Sequence, residues 1–448
     1  MKRLLLISPL AGAGLFGKDF FFRLPGLGLL RVAALTPPGW QVQIVDEKVE
    51  PLDLEQEADL VGITTMTCTA QRAYAVADHF RRRGLRVILG GMHASALPDE
   101  ALAHCDSLVI GEAEGLWPTV IADFEQGRMQ RVYRHENGAP SLDGWPRSNW
   151  DLYRSKNYLP VHSLETTRGC PLDCEFCAVT NAFGGHYRNR HHEDVVAELR
   201  ALRPFDGFFT LKNCVFFVDD NIISNRAYAR QLLERLREFN LKWFSQASLN
   251  IAHDPEMLTL CQQSGCVGLL IGFESLSAET LRAVGKHTNR PQEYLEAVRR
   301  IHDHGIGVDA AFVFGFDSDD EGVFDRTLEF ALRAKLEVPH YSILTPYPGT
   351  RLYRRLQEEG RLLTRDWSLY DMAHVVYRPK NLSTEQLLDG YCRLLKESYS
   401  WSSMFQRLWG TTSYKNFFLV MNFGFRQGVK RLWRSYQTGA LRPVPDSV

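Results

Sequence analysis

The chain has 448 residues, 45% of them hydrophobic, and its 52 Lys and Arg against 53 Asp and Glu leave a net charge of −1. At roughly 150 residues per domain the length implies about three domains, and so apolar a chain buries large cores, which excludes a disordered or fibrous protein. A near-neutral chain has no global field for gripping a phosphate backbone, which disfavours nucleic-acid partners.

The first residues, Met1-Lys2-Arg3-Leu4-Leu5-Leu6-Ile7, could open a signal peptide, but Ser8-Pro9 breaks the apolar stretch too early. They read better as a first strand. Further strands are expected at 41–45, 60–64, 86–89 and 107–110, with amphipathic helices at 28–35, 70–83 and 115–124. Strands alternating with helices pair in parallel, so residues 1–126 are expected to form a doubly wound (Rossmann-like) α/β domain. Ligands on such folds bind at the carboxyl ends of the strands, here 8–14, 46–50, 64–69 and 90–93.

Residues 127–160 read as a linker rich in Pro, Gly and Trp. From 161 to 360 a second series follows, with strands at 162–167, 214–219, 242–247, 267–274, 307–314 and 339–344. Helices are expected at 194–202, 226–239, 255–264, 291–305 and 321–336. Six βα units suggest a partial (β/α)6 barrel with its chemistry at the carboxyl ends of the strands. Residues 361–448 read as a mostly helical tail. No apolar run approaches the ~18 residues of a spanning helix. The expected place is the cytoplasm, where thiols stay reduced.

Three of the nine cysteines fall within eight residues, in Thr167-Arg168-Gly169-Cys170-Pro171-Leu172-Asp173-Cys174-Glu175-Phe176-Cys177. The loop follows the first barrel strand, where a barrel places its active site. Closed zinc or iron–sulfur sites usually take four protein ligands, whereas three leave one metal position open. The rival reading is a structural zinc completed by His186, His191 or His192. The other six cysteines are scattered and read as small buried hydrophobes, with no second cluster.

C-x-x-x-C-x-aromatic-C after a strand resembles the signature of the radical S-adenosylmethionine (SAM) enzymes. The resemblance implies a [4Fe–4S] cluster on Cys170, Cys174 and Cys177, with SAM chelating the open iron. It extends along the barrel. Asp219 and Asp220 close the second strand where relatives hold the methionyl amino group. Glu274 and Ser275 close the fourth, where relatives position SAM ribose or carboxylate groups. Lys286 would suit the methionyl carboxylate, and Phe176 and residues 312–316 would flank adenine. Thr345-Pro346-Tyr347-Pro348-Gly349-Thr350 matches a segment of one branch of the family, and physically reads as a rigid turn.

The first domain is similar to the cobalamin-binding module of B12-dependent radical SAM proteins, through Thr64, Thr65 and Thr67, through Gly90 and Gly91, and through Gly111-Glu112-Ala113-Glu114. The D-x-H-x-x-G loop that brings a histidine to cobalt is absent, so the expectation is cobalamin bound without a histidine ligand, with a domain that has lost the cofactor as the alternative. His93 reads as a hydrogen-bonding loop residue.

The tail from Trp401 on interleaves seven Arg and Lys with aromatics and carries one acid, Asp446. Such helices either pack on a domain or lie against a membrane surface, here its inner face. The leading expectation is a cobalamin-dependent radical SAM methyltransferase acting on an unactivated carbon of a small or apolar, lipid-like substrate. Its layout resembles that of hopanoid methylases and of the anaerobic Mg-protoporphyrin cyclase, and the resemblance implies an electron donor such as flavodoxin or ferredoxin. The alternatives are a radical cyclase or oxidoreductase and, from another class, an iron–sulfur electron-transfer or scaffold protein. A tRNA methylthiotransferase is disfavoured by the charge and the missing second cluster.

Overall fold

In a computed structural model of the chain, residues 1–10, 23–136, 138–202, 214–411 and 414–445 are described. The first sheet has six parallel strands: β1 (Lys2–Ser8), β2 (Trp40–Asp46), β3 (Leu60–Thr64), β4 (Arg86–Gly90), β5 (Ser107–Ile110) and β6 (Val132–Arg134). Their order is β2-β1-β3-β4-β5-β6, so the winding reverses between β1 and β3. Both faces of the sheet are covered, which is why its strands read as apolar runs. Leu5, Ile7, Val61 and Leu89 pack against Tyr74 and Phe80 of the helix Ala70–Arg82. Leu4, Leu6, Ile88 and Val109 face the helices Leu27–Leu35 and Trp117–Glu125.

The second domain opens with β7 (His162–Leu164) and a short antiparallel hairpin of β8 (Thr167–Arg168) and β9 (Arg188–Asn189). The parallel strands β10 (Cys214–Phe217), β11 (Lys242–Ala247), β12 (Cys266–Glu274), β13 (Gly307–Phe314) and β14 (Val338–Ile343) follow, in the order β14-β13-β12-β11-β10-β7. Successive strands are neighbours, so right-handed crossovers put every helix on one face and the sheet curls into a half-barrel. Its outer face is buried against the helices. The inner face is half-accessible at Phe216, Phe244, Gln246, Leu270, Ala311, Val313, His340 and Ser342.

The tail closes the end of the half-barrel where the strands begin. Phe418, in the helix Lys415–Gln437, fills a notch where Cβ atoms at Gly268 and Gly307 would lie 2.8 and 2.3 Å from its ring. Arg407 is fully buried and donates to the carbonyls of Leu336, Glu337 and Ser398 and to Asn422 Oδ1.

Several expectations need adjusting. β6 lies inside the stretch 127–160 and extends the first sheet, pairing Leu108 with Val132. The strand expected at 162–167 is split, because the chain turns at 165–166 into the β8–β9 hairpin. β10 stops at Phe217, before Asp219. Residues 361–383 contain no α-helix; the chain there makes a bridge between Leu362 and Tyr377, with one turn of 3-10 helix at Trp367–Leu369. Positions 11–14 of the first strand-end loop, and Asp446, lie outside the described residues.

Candidate active site

Two turns and one helix clamp the cysteine loop. Gly169 has φ +89°, and a Cβ there would lie 2.5 Å from the His186 carbonyl, so only glycine lets the loop leave β8 so close to β9. Glu175 N–H donates to the Val284 carbonyl, and Leu352 N–H to that of Glu175. Arg355 holds the Glu175 carboxylate through two bonds of 2.7 and 3.2 Å, and Arg351 reaches the Asp173 carbonyl at 2.5 Å. Both arginines stand on the helix Arg351–Glu358, whose first turn is capped by the Thr350 hydroxyl. The turn read as rigid therefore aims that helix at the loop.

Cys170, Cys174 and Cys177 are free thiols and at least partly buried. Burial pushes all three thiols up, Cys174 to about 11, while the Lys286 ammonium pulls each of them down. Among the described residues no three His, Cys, Asp or Glu side chains converge on a point for a single ion. Two of the histidines weighed for zinc are engaged elsewhere: His191 caps the helix His192–Ala201, and the His192 ring stacks on Tyr228 at 4.3 Å. The corners of a cubane stand further apart than the ligands of one ion, so three free thiols around one loop suit a cluster.

Lys286 Nζ donates to Glu274 Oε1 at 3.0 Å, and both side chains are largely buried. Glu274 ends β12 with φ +63°, a conformation rare for a residue with a side chain. Asn289 and Tyr294, which the sequence reading did not single out, hold this strand end through the carbonyls of Gly272 and Phe273. Ser275 is buried, and its hydroxyl accepts from Ser277 N–H. Phe176 packs edge-on to Phe316 with ring centres 6.0 Å apart.

The two adjacent aspartates do different things. Asp219 is fully buried, with one oxygen accepting from the N–H groups of Thr166 (2.7 Å) and Thr167 (2.9 Å) and the other from the Thr166 hydroxyl. Burial pushes it up to about 7 against the pull of those bonds. Asp220 accepts from Gly169 N–H at 2.9 Å and otherwise faces a cavity; burial lifts it to about 6.

That cavity, of about 380 Å³, lies between the two domains at the reversal between β1 and β3. The first domain contributes an apolar slot of Leu6, Leu29, Val32, Gly62, Ile88 and Trp117, and a mouth of Thr64, Gly90 and Gly91. The barrel contributes Glu165, Arg168, Phe183 and Asp220. A Cβ at Gly62 would come within 2.9 Å of Leu6, so the slot owes its width to the missing side chain. Gly91 has φ +98°, and a Cβ there would strike Thr65 backbone atoms at 2.7 Å. Thr65 and Thr67 are turned inward. Thr65 donates to the Gly90 carbonyl and accepts from Ala94 N–H, and the Thr67 hydroxyl stands 3.4 Å from His93 Nδ1. His93 is buried beside Glu100 and Trp367, and among the described residues no histidine lines the cavity. A deep apolar slot below a glycine-rich mouth fits a bulky nucleotide-like tail.

Charged groups bind the domains together around this cavity. Arg168 pairs with Glu112, with Glu114 at 3.0 Å and with Glu165 at 2.7 Å; Arg188 also reaches Glu112, at 2.6 Å. Behind them, Glu198 faces Arg190 at 2.7 Å and Arg31 at 3.7 Å. The rings and guanidinium groups interleave, with Trp145 between Arg31 and Arg168 at 4.8 and 4.9 Å.

A half-barrel with a three-cysteine loop on its rim, locked face to face with a doubly wound domain across a shared cavity, defines the class: a two-module enzyme. Known proteins agree with this part by part. Residues 164–331 match the Radical SAM superfamily, 17–121 the B12 binding domain, and 350–432 a domain of unknown function (DUF4070). The bacteriochlorophyllide d C-12(1)-methyltransferase of Chlorobaculum tepidum is 33% identical over 91% of this chain and 90% of its own length. The hopanoid C-2 methylase of Rhodopseudomonas palustris is 30% identical over 77% of this chain and 66% of its own. The fold is shared with the radical SAM methyltransferase TsrM of Kitasatospora setae, solved with cobalamin and a [4Fe–4S] cluster (TM-score 0.66, 15% identity, 96% of this chain and 99% of that one). This chain belongs to the cobalamin-dependent radical SAM methyltransferases, and a [4Fe–4S] cluster, SAM and cobalamin are its cofactors.

Proposed function

We propose that the enzyme methylates an unactivated carbon of a large, apolar, polycyclic small molecule. The observation that carries this reading is the shared cavity, where Arg168, Phe183 and Asp220, which flank the cysteine loop, face the mouth of the B12-type domain. The substrate class is supported by the inner face of the half-barrel. Phe216, Phe244, Leu270, Ala311 and Val313 dominate it, with Gln246, His340 and Ser342 as its half-accessible polar groups. It is supported too by relatives named for a bacteriochlorophyllide and a hopanoid.

When bound, the cluster with SAM supplies a hydrogen-abstracting radical and cobalamin supplies the methyl group. The chain's own residues hold and orient. Cys170, Cys174 and Cys177 ligate the cluster. Asp220, Glu274, Ser275 and Lys286 are assigned to the amino, ribose and carboxylate groups of SAM, and Phe176 to its adenine. Asp219 is a positioning residue that fixes Thr166 and Thr167 beneath the loop. Thr64, Gly90 and Gly91 border the corrinoid, and Thr65 and Thr67 shape the loop behind them. A cavity lining without histidine supports cobalamin bound with no histidine on cobalt. Buried walls and the tail's plug would keep water from the site, and the cluster would draw electrons from a one-electron donor of the flavodoxin or ferredoxin type.

The test is to incubate the reconstituted enzyme with methyl-labelled SAM, a reductant and pigment and lipid extracts of its own cells, then follow the label by mass spectrometry. The label should enter one apolar polycyclic species. Label in a polar metabolite or in RNA would overturn the substrate class, and an unlabelled ring-closed product would favour a cyclase.

A further inference from the structure

We infer that the outer face of the tail docks the enzyme on an anionic membrane surface. The inner face of the tail is committed to the barrel through Phe418, Arg407 and Asn422. Its outer face is uncovered. Trp401, Phe405 and Trp409, spaced four apart along and just beyond the helix Trp401–Leu408, are 58, 64 and 67% exposed. Leu419, Val420 and Phe423 of the neighbouring helix are 40, 39 and 37% exposed. The two rows meet where the Trp401 and Phe423 rings pack 5.4 Å apart, so they form one surface. Elsewhere among the described residues the large hydrophobics that stand out, Met1, Met66 and Leu295, are scattered. A contiguous exposed aromatic patch on an otherwise ordinary surface marks an interaction site.

Charge selects the partner. No Asp or Glu occurs between Glu397 and Asp446, in a chain whose charges otherwise nearly cancel. On the helix Lys415–Gln437, Lys415, Lys430 and Arg434 share the exposed face of Leu419 and Phe423 by helical spacing, and Arg426 lies over the Trp401 ring at 4.6 Å. An acidic protein or a nucleic acid would answer the cations and leave the aliphatic and indole surface wet. A lipid headgroup region takes both, with Trp at the interface and Lys and Arg on anionic phosphates. Among the described residues no helix is long and apolar enough to cross a membrane, so contact would be from one side. An enzyme seated on a membrane is also placed to meet a lipid-like substrate, although the docking surface stands without that reading.

The test is co-sedimentation of the full-length holoenzyme with phosphatidylcholine vesicles, with and without phosphatidylglycerol. The protein should pellet with the anionic vesicles and be released by high salt. The triple variant Trp401→Ser, Phe405→Ser and Trp409→Ser should bind about tenfold more weakly, and Lys430→Glu with Arg434→Glu should act in the same direction. These side chains are exposed, so thermal unfolding and the SAM cleavage yield in detergent should not change. No binding to anionic vesicles, or binding indifferent to these variants, overturns the inference. So does a dimer that buries this face and is split by the triple variant, or RNA binding that the charge variants abolish.

Discussion

Arg168, two residues before Cys170, forms an ion pair with Glu112, at the carboxyl end of the cobalamin-type sheet. The guanidinium is 10% exposed and holds Glu114 and Glu165 as well, so the cluster loop and the corrinoid domain share one buried charge. Arg168→Met removes the guanidinium from Glu114 and Glu165 and leaves Glu112 to Arg188, at a cost of about 3–5 kcal/mol. Calorimetry should show a lower unfolding temperature or two separate transitions, while Arg168→Lys recovers part of the loss.

The same network predicts a pH dependence. For Glu114, burial raises the carboxyl pKa, but Arg168 outweighs it and the net shift is downward; Arg190 and Arg31 do the same for Glu198. A depressed carboxylate stabilises the fold above its ordinary range, about 4.3, and that contribution is lost as pH falls through the folded value. The unfolding temperature should therefore drop steeply below about pH 4. In Arg168→Met the acid-side slope should flatten, because Glu114 then has only its backbone hydrogen bond and Arg31 to set against burial.

Asp219 gives a sharper substitution. Its three hydrogen bonds all stay within the chain, so Asp219→Asn can keep both bonds to backbone N–H groups and turn its amide toward the Thr166 hydroxyl. Asp219→Ala removes the acceptor of three buried donors, two of them backbone N–H groups, at about 1–3 kcal/mol each. Isothermal titration should find SAM affinity in the Asn variant within about twofold of wild type. Asp220→Asn should weaken SAM about tenfold or more, the loss expected for a charge-assisted bond.

How far the sequence could be read follows from what each feature depends on. β1, β3 and β4 were legible because burial on both faces leaves unbroken apolar runs, and the cysteines because ligand spacing is local. The difference between Asp219 and Asp220 was not, since it is set by backbone groups 53 residues away. β6 has three residues, too few to show a period, and exists because β5 offers it an edge. Glu112 and Glu114 stood out as part of a cobalamin-domain match, yet nothing near them in sequence announces Arg168. Thr65 and Thr67 look like ligand-facing hydroxyls until Gly91 folds the loop back over them.

Gly62 tests the corrinoid slot. Gly62→Val adds a branched side chain where even a Cβ would press on Leu6, and the slot narrows. Cobalamin content after reconstitution should fall by about tenfold or more, since a filled slot excludes a group of that size. Iron content should stay unchanged, because the cysteine loop lies in the other domain. Equal loss of both would mean general misfolding, which circular dichroism would reveal.

Lys286 pairs with Glu274, and its charge lowers the pKa of all three thiols. Lys286→Met strands Glu274 in a buried, left-handed position while leaving every cluster ligand in place. Iron content should persist, and the change in the cluster's electron paramagnetic resonance spectrum on adding SAM should be lost or need about tenfold more SAM. An unchanged titration would remove Lys286 from the SAM site.

Methyl transfer itself is tested by stoichiometry. One SAM must provide the radical and another must restore the methyl on cobalamin, so each turnover should yield 5′-deoxyadenosine and S-adenosylhomocysteine in equal amounts. The measurement is quantitative chromatography of both products, with methyl-labelled SAM and the substrate found in the extracts. A one-to-one ratio and one labelled methyl group per product molecule are expected. Deoxyadenosine accumulating without S-adenosylhomocysteine, and with no label in the product, would contradict methyl transfer.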